Sequence, residues 1–203
     1  MKKWIAILLL AVTVFGLSGC ILEEVSFHYR EQSSVDGLQL YLNDIADCCF
    51  VGKYTITKLD KQQEITIPDE YNGYSIIQLG GYYGRGLPIY FYLRPTDDLA
   101  NVPQTNEIQT TSYCYPGKMD IQGKGQIEEM VFTLNIGKNI KTIENVNMDL
   151  YLPHLNEDGS TTYYHPVVYI NCSEENRYFY SENGKLYDKE TGELIPGFAY
   201  AQP

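Results

Sequence analysis

The residues of this chain that could carry acid–base, redox or metal chemistry are three histidines, five cysteines and 26 carboxylates. His28 lies in a polar N-terminal stretch, where exposure to solvent is the expectation. His154 and His165 flank the turn N-E-D-G-S and can approach each other across a hairpin. Two imidazoles so placed could hold a metal; ordinary loop residues are the simpler reading. The N-E-D-G segment faintly resembles a calcium loop but lacks its regularly spaced carboxylates and closing glutamate, so a turn is expected. Cys48 and Cys49 are adjacent, without the two-residue gap that lets two thiolates chelate one zinc ion. Among Cys48, Cys49, Cys114 and Cys172, three disulfide pairings are open, a Cys48–Cys49 bridge being vicinal and strained. Four small buried hydrophobes are the alternative. No G-x-S-x-G nucleophile turn occurs. The glycine-rich run G-G-Y-Y-G-R-G is not followed by the Lys-Ser/Thr of a phosphate loop. Carboxylates are abundant, yet no spacing singles out a glycosidase-type pair. No cofactor, metal site or catalytic set is therefore expected.

Tyrosine is the more informative residue. There are 19, against 7 phenylalanines and a single tryptophan at position 4. A tyrosine combines a flat apolar face with a hydroxyl, which suits recognition of proteins or sugars. Tyr82, Tyr83, Tyr113 and Tyr115 sit in or beside glycine- and proline-rich segments and are the contact candidates. Tyr90 and Tyr92, in the alternating run I-Y-F-Y-L, are expected to fill half-buried sheet positions.

The elements that must position these residues read as β throughout. Residues 38–42 alternate as L-Q-L-Y-L, and residues 50–59 alternate again with β-branched side chains. Together they predict a hairpin at the N-terminal end of the core. Residues 89–93, 129–136 and 167–170 are further strand candidates. Residues 150–155 and 161–164 predict a hairpin around N-E-D-G-S. A second hairpin is expected near the C-terminus, with turns at Asn183-Gly184 and at 190–192. Residues 94–125, rich in Pro, Asn, Thr and Gly, predict a long excursion from the core, and a long ordered loop is often functional.

Two stretches share one pattern. In 64–80, E-I-T-I-P-D-E-Y-N-G-Y-S-I-I-Q-L-G, Ile65 and Ile67 alternate, a polar turn follows, then Ile76 and Leu79 stand three apart. In 133–144, T-L-N-I-G-K-N-I-K-T-I-E, the corresponding residues are Leu134, Ile136, Ile140 and Ile143. A short strand with a return turn cannot bury its apolar face alone, so such units stack.

The N-terminus reads as a targeting segment. Lys2 and Lys3 precede an apolar run ending at Phe15, which is short for a membrane span of about 20 residues. Leu17-Ser18-Gly19-Cys20 resembles the lipobox of bacterial lipoproteins. That resemblance implies a signal peptide over 1–19 and a mature chain beginning at Cys20 that carries the lipid. Acylation at one terminus gives stable anchoring when more than one chain is attached. Residues 20–34 then read as a lipidated tether, and 35–203 as a single β-rich domain. Loss of Lys2 and Lys3 takes the formal charge from −11 to −13. Such acidity disfavours nucleic acid and anionic lipid as charge-driven partners.

The unit I-T-I-P-D-E-Y-N-G-Y-S-I-I-Q-L-G resembles the repeat of BspA-type leucine-rich-repeat proteins in its strand, proline, N-G turn and Ile-x-x-Leu-Gly ending. The segment 134–144 is similar, with Gly137 at the proline position and Glu144 at the glycine position. The tail 174–195 is similar to the segment those proteins carry between repeats. The resemblance implies a mainly β fold: a short leucine-rich-repeat-like solenoid with β-hairpin insertions. An antiparallel β-sandwich is the rival architecture. With the lipobox and the missing catalytic set, the repeat resemblance implies an extracytoplasmic, membrane-anchored, non-enzymatic adhesion module that binds a protein partner. A carbohydrate-binding lipoprotein, taking a surface polysaccharide on loop tyrosines, is the alternative. A glycoside hydrolase-like enzyme with its carboxylates in 94–125 is the third.

Overall fold

A computed structural model describes residues 29–43, 46–83, 87–95, 115–116, 123, 125–148 and 150–202. Among them there is no helix. Sixteen strands follow in order: β1 (Tyr29–Val35), β2 (Leu38–Asn43), β3 (Cys48–Ile56), β4 (Gln62–Thr66), β5 (Glu70–Tyr71), β6 (Tyr74–Leu79), β7 (Gly81–Tyr83) and β8 (Leu87–Ile89). They continue as β9 (Tyr92–Pro95), β10 (Tyr115–Pro116), β11 (Gln126–Ile136), β12 (Thr142–Ile143), β13 (Leu150–Leu155), β14 (Thr161–Cys172), β15 (Phe179–Glu182) and β16 (Lys185–Asp188). One sheet runs β1-β2-β3-β6-β12, with β5 on β6 and β9 on β3; a second runs β10-β13-β14-β11-β4. β15–β16 and β7–β8 form two small hairpins.

Direction of pairing separates the repeated units from the rest. β4, β11 and β14 are mutually parallel, and so are β3, β6 and β12. The antiparallel pairs are local hairpins: β1–β2–β3, β5–β6, β7–β8, β13–β14 and β15–β16, together with β10 on β13. Parallel neighbours need a crossover between them, and β4 and β11 are each followed in the chain by strands of the other sheet, β5–β6 and β12. A single apolar cluster draws on both sheets, from Leu40, Cys49 and Ile76 on one side to Ile65, Phe132, Leu134 and Ile170 on the other. Seven of the eight repeat positions are fully buried, from Ile65 at 2% exposure to Leu79 at 0%, while Ile143 is half-buried against the cluster. Each such aliphatic side chain contributes roughly 1.5–3 kcal/mol on burial.

The structure places some expected elements differently. Tyr29–Val35 pairs with β2, so the second half of the expected tether is a strand, and residues 20–28 lie outside the described part. The run 89–93 is not one strand: Pro88 and Ile89 end β8, Phe91 bridges to Val146, and β9 begins at Tyr92 and pairs with β3. The pairing is thus mixed, with parallel ladders between units and antiparallel ladders within hairpins. The three predicted hairpins are present, as β2–β3, β13–β14 and β15–β16. Asn156 accepts the Gly159 amide across the N-E-D-G-S turn, and Asn183 and Gly184 adopt φ of 51° and 75° in the β15–β16 turn. A left-handed pair of this kind matches the twist of the strands it joins.

Candidate functional site

The outer face of the β4–β11–β14 ladder is built by strand alternation. Register sets Ile65, Leu134 and Ile170 in one inward row, so the next residues, Thr66, Asn135 and Asn171, form an outward row. The Asn135 amide donates to Glu64 Oε1 at 2.7 Å and to Thr66 Oγ1 at 3.1 Å, and the Asn171 amide donates to Asn135 Oδ1 at 3.1 Å. Three strands are thereby tied by side chains as well as by backbone. The row behind it is Glu64, Thr133 and Tyr169, and Tyr169 is 44% exposed. Its ring lies over the β15–β16 turn: a Cβ on Gly184 would stand 2.4 Å from it. This is a polar surface with exposed Tyr169 beside the β15–β16 turn.

Beyond Ile136 and Cys172 the chain turns two corners that sit side by side. The first corner is held by Asp69: its carboxylate accepts from the Lys138 amide at 2.8 Å, and the Asn139 side chain donates to its carbonyl. Gly137 is required there, because a Cβ would come within 2.3 Å of the Asp69 carboxylate. The second corner is fastened to the first by Asn176, which is buried. Its amide donates to Gly137 O at 2.8 Å and Ile140 O at 3.0 Å, and its Oδ1 accepts from Tyr178 N and Phe179 N at 2.8 and 2.9 Å. Every donor and acceptor of the side chain is used. Between the corners lies a concavity of about 420 Å³ lined by Lys138, Asn139, Lys141, Glu175, Arg177 and Tyr178.

The residues singled out from sequence fare unevenly. Cys20, His28, Tyr113 and Cys114 lie outside the described residues, as do Asp97, Asp98, Glu107 and Asp120 of the 94–125 excursion. Tyr82 is 50% exposed on the β7–β8 hairpin, opposite Pro88. Tyr83 belongs to the same hairpin, and Tyr115 belongs to β10 beside β13. Tyr90 is exposed rather than half-buried, because the chain bends there between strands; Tyr92 is half-buried as expected. His154 and His165 are not brought together. His154 stands opposite Thr162, and His165 lies three residues along β14, on the other side of the pleat, stacked on Tyr151 at 4.5 Å. No group of metal-ligating side chains occurs among the described residues.

Cys49 and Cys172 carry free thiols. Burial, reinforced by Cys48, pushes the Cys49 thiol up to about 12, and burial pushes Cys172 up to about 11 against the lowering effect of Lys189. Neither is a thiolate at neutral pH, so both act as packing groups.

Tyr169 and the corner residues escaped sequence reading. Nothing local marks them, and the corner neighbourhood follows only from stacking the units. If 133–144 stacks on 64–80, the following unit brings E-N-R-Y at 175–178 beside K-N-I-K at 138–141. No family model, no curated protein and no solved structure matches this chain.

Proposed function

We propose that the chain is a lipid-anchored extracytoplasmic binding module, tethered through Cys20, whose β4–β11–β14 face contacts a protein partner. The domain follows the plan of a short BspA-type leucine-rich-repeat solenoid with hairpin insertions. Parallel ladders between units whose sequences repeat support that plan. The observation that carries the functional reading is the hydrogen-bonded outer row of Thr66, Asn135 and Asn171 on the same face as exposed Tyr169. A prearranged polar surface loses little side-chain freedom on binding, and an aromatic at its edge supplies the apolar contact. The module acts without catalysis, by holding a surface or matrix protein near the membrane.

The test is a binding panel of purified extracellular matrix and bacterial surface proteins, with the mature chain and its Tyr169→Ala variant side by side. Saturable binding to a panel protein, weakened tenfold or more in Tyr169→Ala, is the expected result. Binding untouched by Tyr169→Ala, or turnover of a glycan substrate by the mature chain, would overturn the reading.

A further inference from the structure

The chain carries 26 carboxylates against 15 lysines and arginines, yet the concavity between the two corners gathers Lys138, Lys141 and Arg177 around one carboxylate, Glu175. Both walls of this cationic concavity are prearranged. Asp69 fixes the backbone of Lys138 and Asn139, and Asn176 fixes Tyr178 relative to Ile140. The Lys138 ammonium reaches Glu175 across the gap at 3.3 Å. Lys189, from behind, donates to the Asn176 carbonyl.

We propose that this concavity binds a carboxylated sugar, a uronate unit of an acidic polysaccharide. Arg177 presents the planar fork that pairs two-pronged with a carboxylate, and Lys141 adds a point charge. Tyr178, 44% exposed at the rim, offers a face on which a pyranose ring can stack. Glu175 decides between ligand classes. A uronate brings several ring hydroxyls that can donate to a carboxylate beside its own charge, whereas a polyanionic peptide offers Glu175 only its backbone amides among a run of like charges. Asn139 can both give and accept with those hydroxyls. The site is separate from the Tyr169 face, so its fate does not depend on the protein-binding reading.

The experiment titrates the mature protein by calorimetry with oligogalacturonate, with a neutral galacto-oligosaccharide and with polyglutamate. Saturable binding of oligogalacturonate alone is expected. Arg177→Ala and Tyr178→Ala, both at exposed positions, should each weaken it at least tenfold with unchanged thermal melting. Tyr169→Ala should leave it unchanged. Absence of oligogalacturonate binding overturns the proposal, as does equal binding of polyglutamate, which would mean charge attraction only. Binding that survives Arg177→Ala and Tyr178→Ala, or that is lost in Tyr169→Ala, overturns the placement in this concavity.

Discussion

Ile65 and Leu134 are direct partners in the parallel ladder of β4 and β11, although 69 residues separate them in the chain. Leu79 and Ile143 are partners in the other sheet, between β6 and β12. The two stretches that share a pattern are therefore stacked with equivalent residues in register. One inward row, Ile65–Leu134–Ile170, and one outward row, Thr66–Asn135–Asn171, follow from the same pairing.

Ile136 ends the inward face of β11 at 2% exposure. Ile136→Asp removes its burial and introduces an unpaired charge into the core, a loss of at least ~4 kcal/mol. Against a typical domain stability of about 5–15 kcal/mol, the variant should be largely unfolded at room temperature. Circular dichroism and thermal melting check this; an unchanged melt would mean that the register is wrong.

Much of this was legible before any coordinates. The period-2 runs gave β2, β3, β4, β11, β13 and β14, Asn-Gly and N-E-D-G-S marked turns, and the repeat gave the register of Ile65 against Leu134. Three things were not legible. Tyr90 alternates like a strand residue, but Pro88 and the Phe91 bridge to Val146 bend the chain, and no local pattern reports a contact 55 residues away. His154 and His165 looked adjacent because sequence gives hairpin proximity but not pleat side, which an odd offset inverts. The corner concavity unites residues 138–141 and 175–178, a neighbourhood that exists only once the units stack.

Gly80 closes the first unit with φ +64, and a Cβ there would stand 1.8 Å from Glu144 O. Gly73, at φ +85, has open space around it. Alanine at position 73 meets only the left-handed backbone penalty, about 1–2 kcal/mol. Gly80→Ala adds a backbone clash that forces β6 and β12 apart, and should cost roughly twice as much or more. Urea unfolding of both variants checks the order; equal losses would contradict the close approach at Gly80.

Asn176→Ala takes this partner from the buried Ile140 carbonyl and Phe179 amide and from the part-buried Gly137 carbonyl and Tyr178 amide. With a net cost of about 1–3 kcal/mol for a buried polar group left unpaired, a destabilisation of about 3 kcal/mol is expected. The amides of Tyr178 and Phe179 should also lose protection in hydrogen exchange before the β11–β14 ladder does. Retained protection at both would contradict the corner-fastening role of Asn176.

Tyr200 donates its hydroxyl to Ile195 O at 2.7 Å, and burial, aided by Tyr187, pushes it up to about 12. A group raised in the folded state stabilises below its unfolded value, near 10, and that stability is lost as pH rises toward 12. Wild type should therefore exceed Tyr200→Phe by about 1 kcal/mol at pH 8, with the gap closing between pH 10 and 12. A gap that widens with pH would contradict the burial of this hydroxyl.

Export and anchoring through Cys20 is the claim on which every extracytoplasmic partner depends. Detergent-phase partitioning of the full chain expressed in a bacterium, with an alkyne fatty acid supplied, tests it most directly. The wild type should enter the detergent phase carrying the label, and Cys20→Ser should stay aqueous and unlabelled. A wild type that remains aqueous, or a Cys20→Ser variant that partitions and labels as the wild type does, would contradict the lipid anchor.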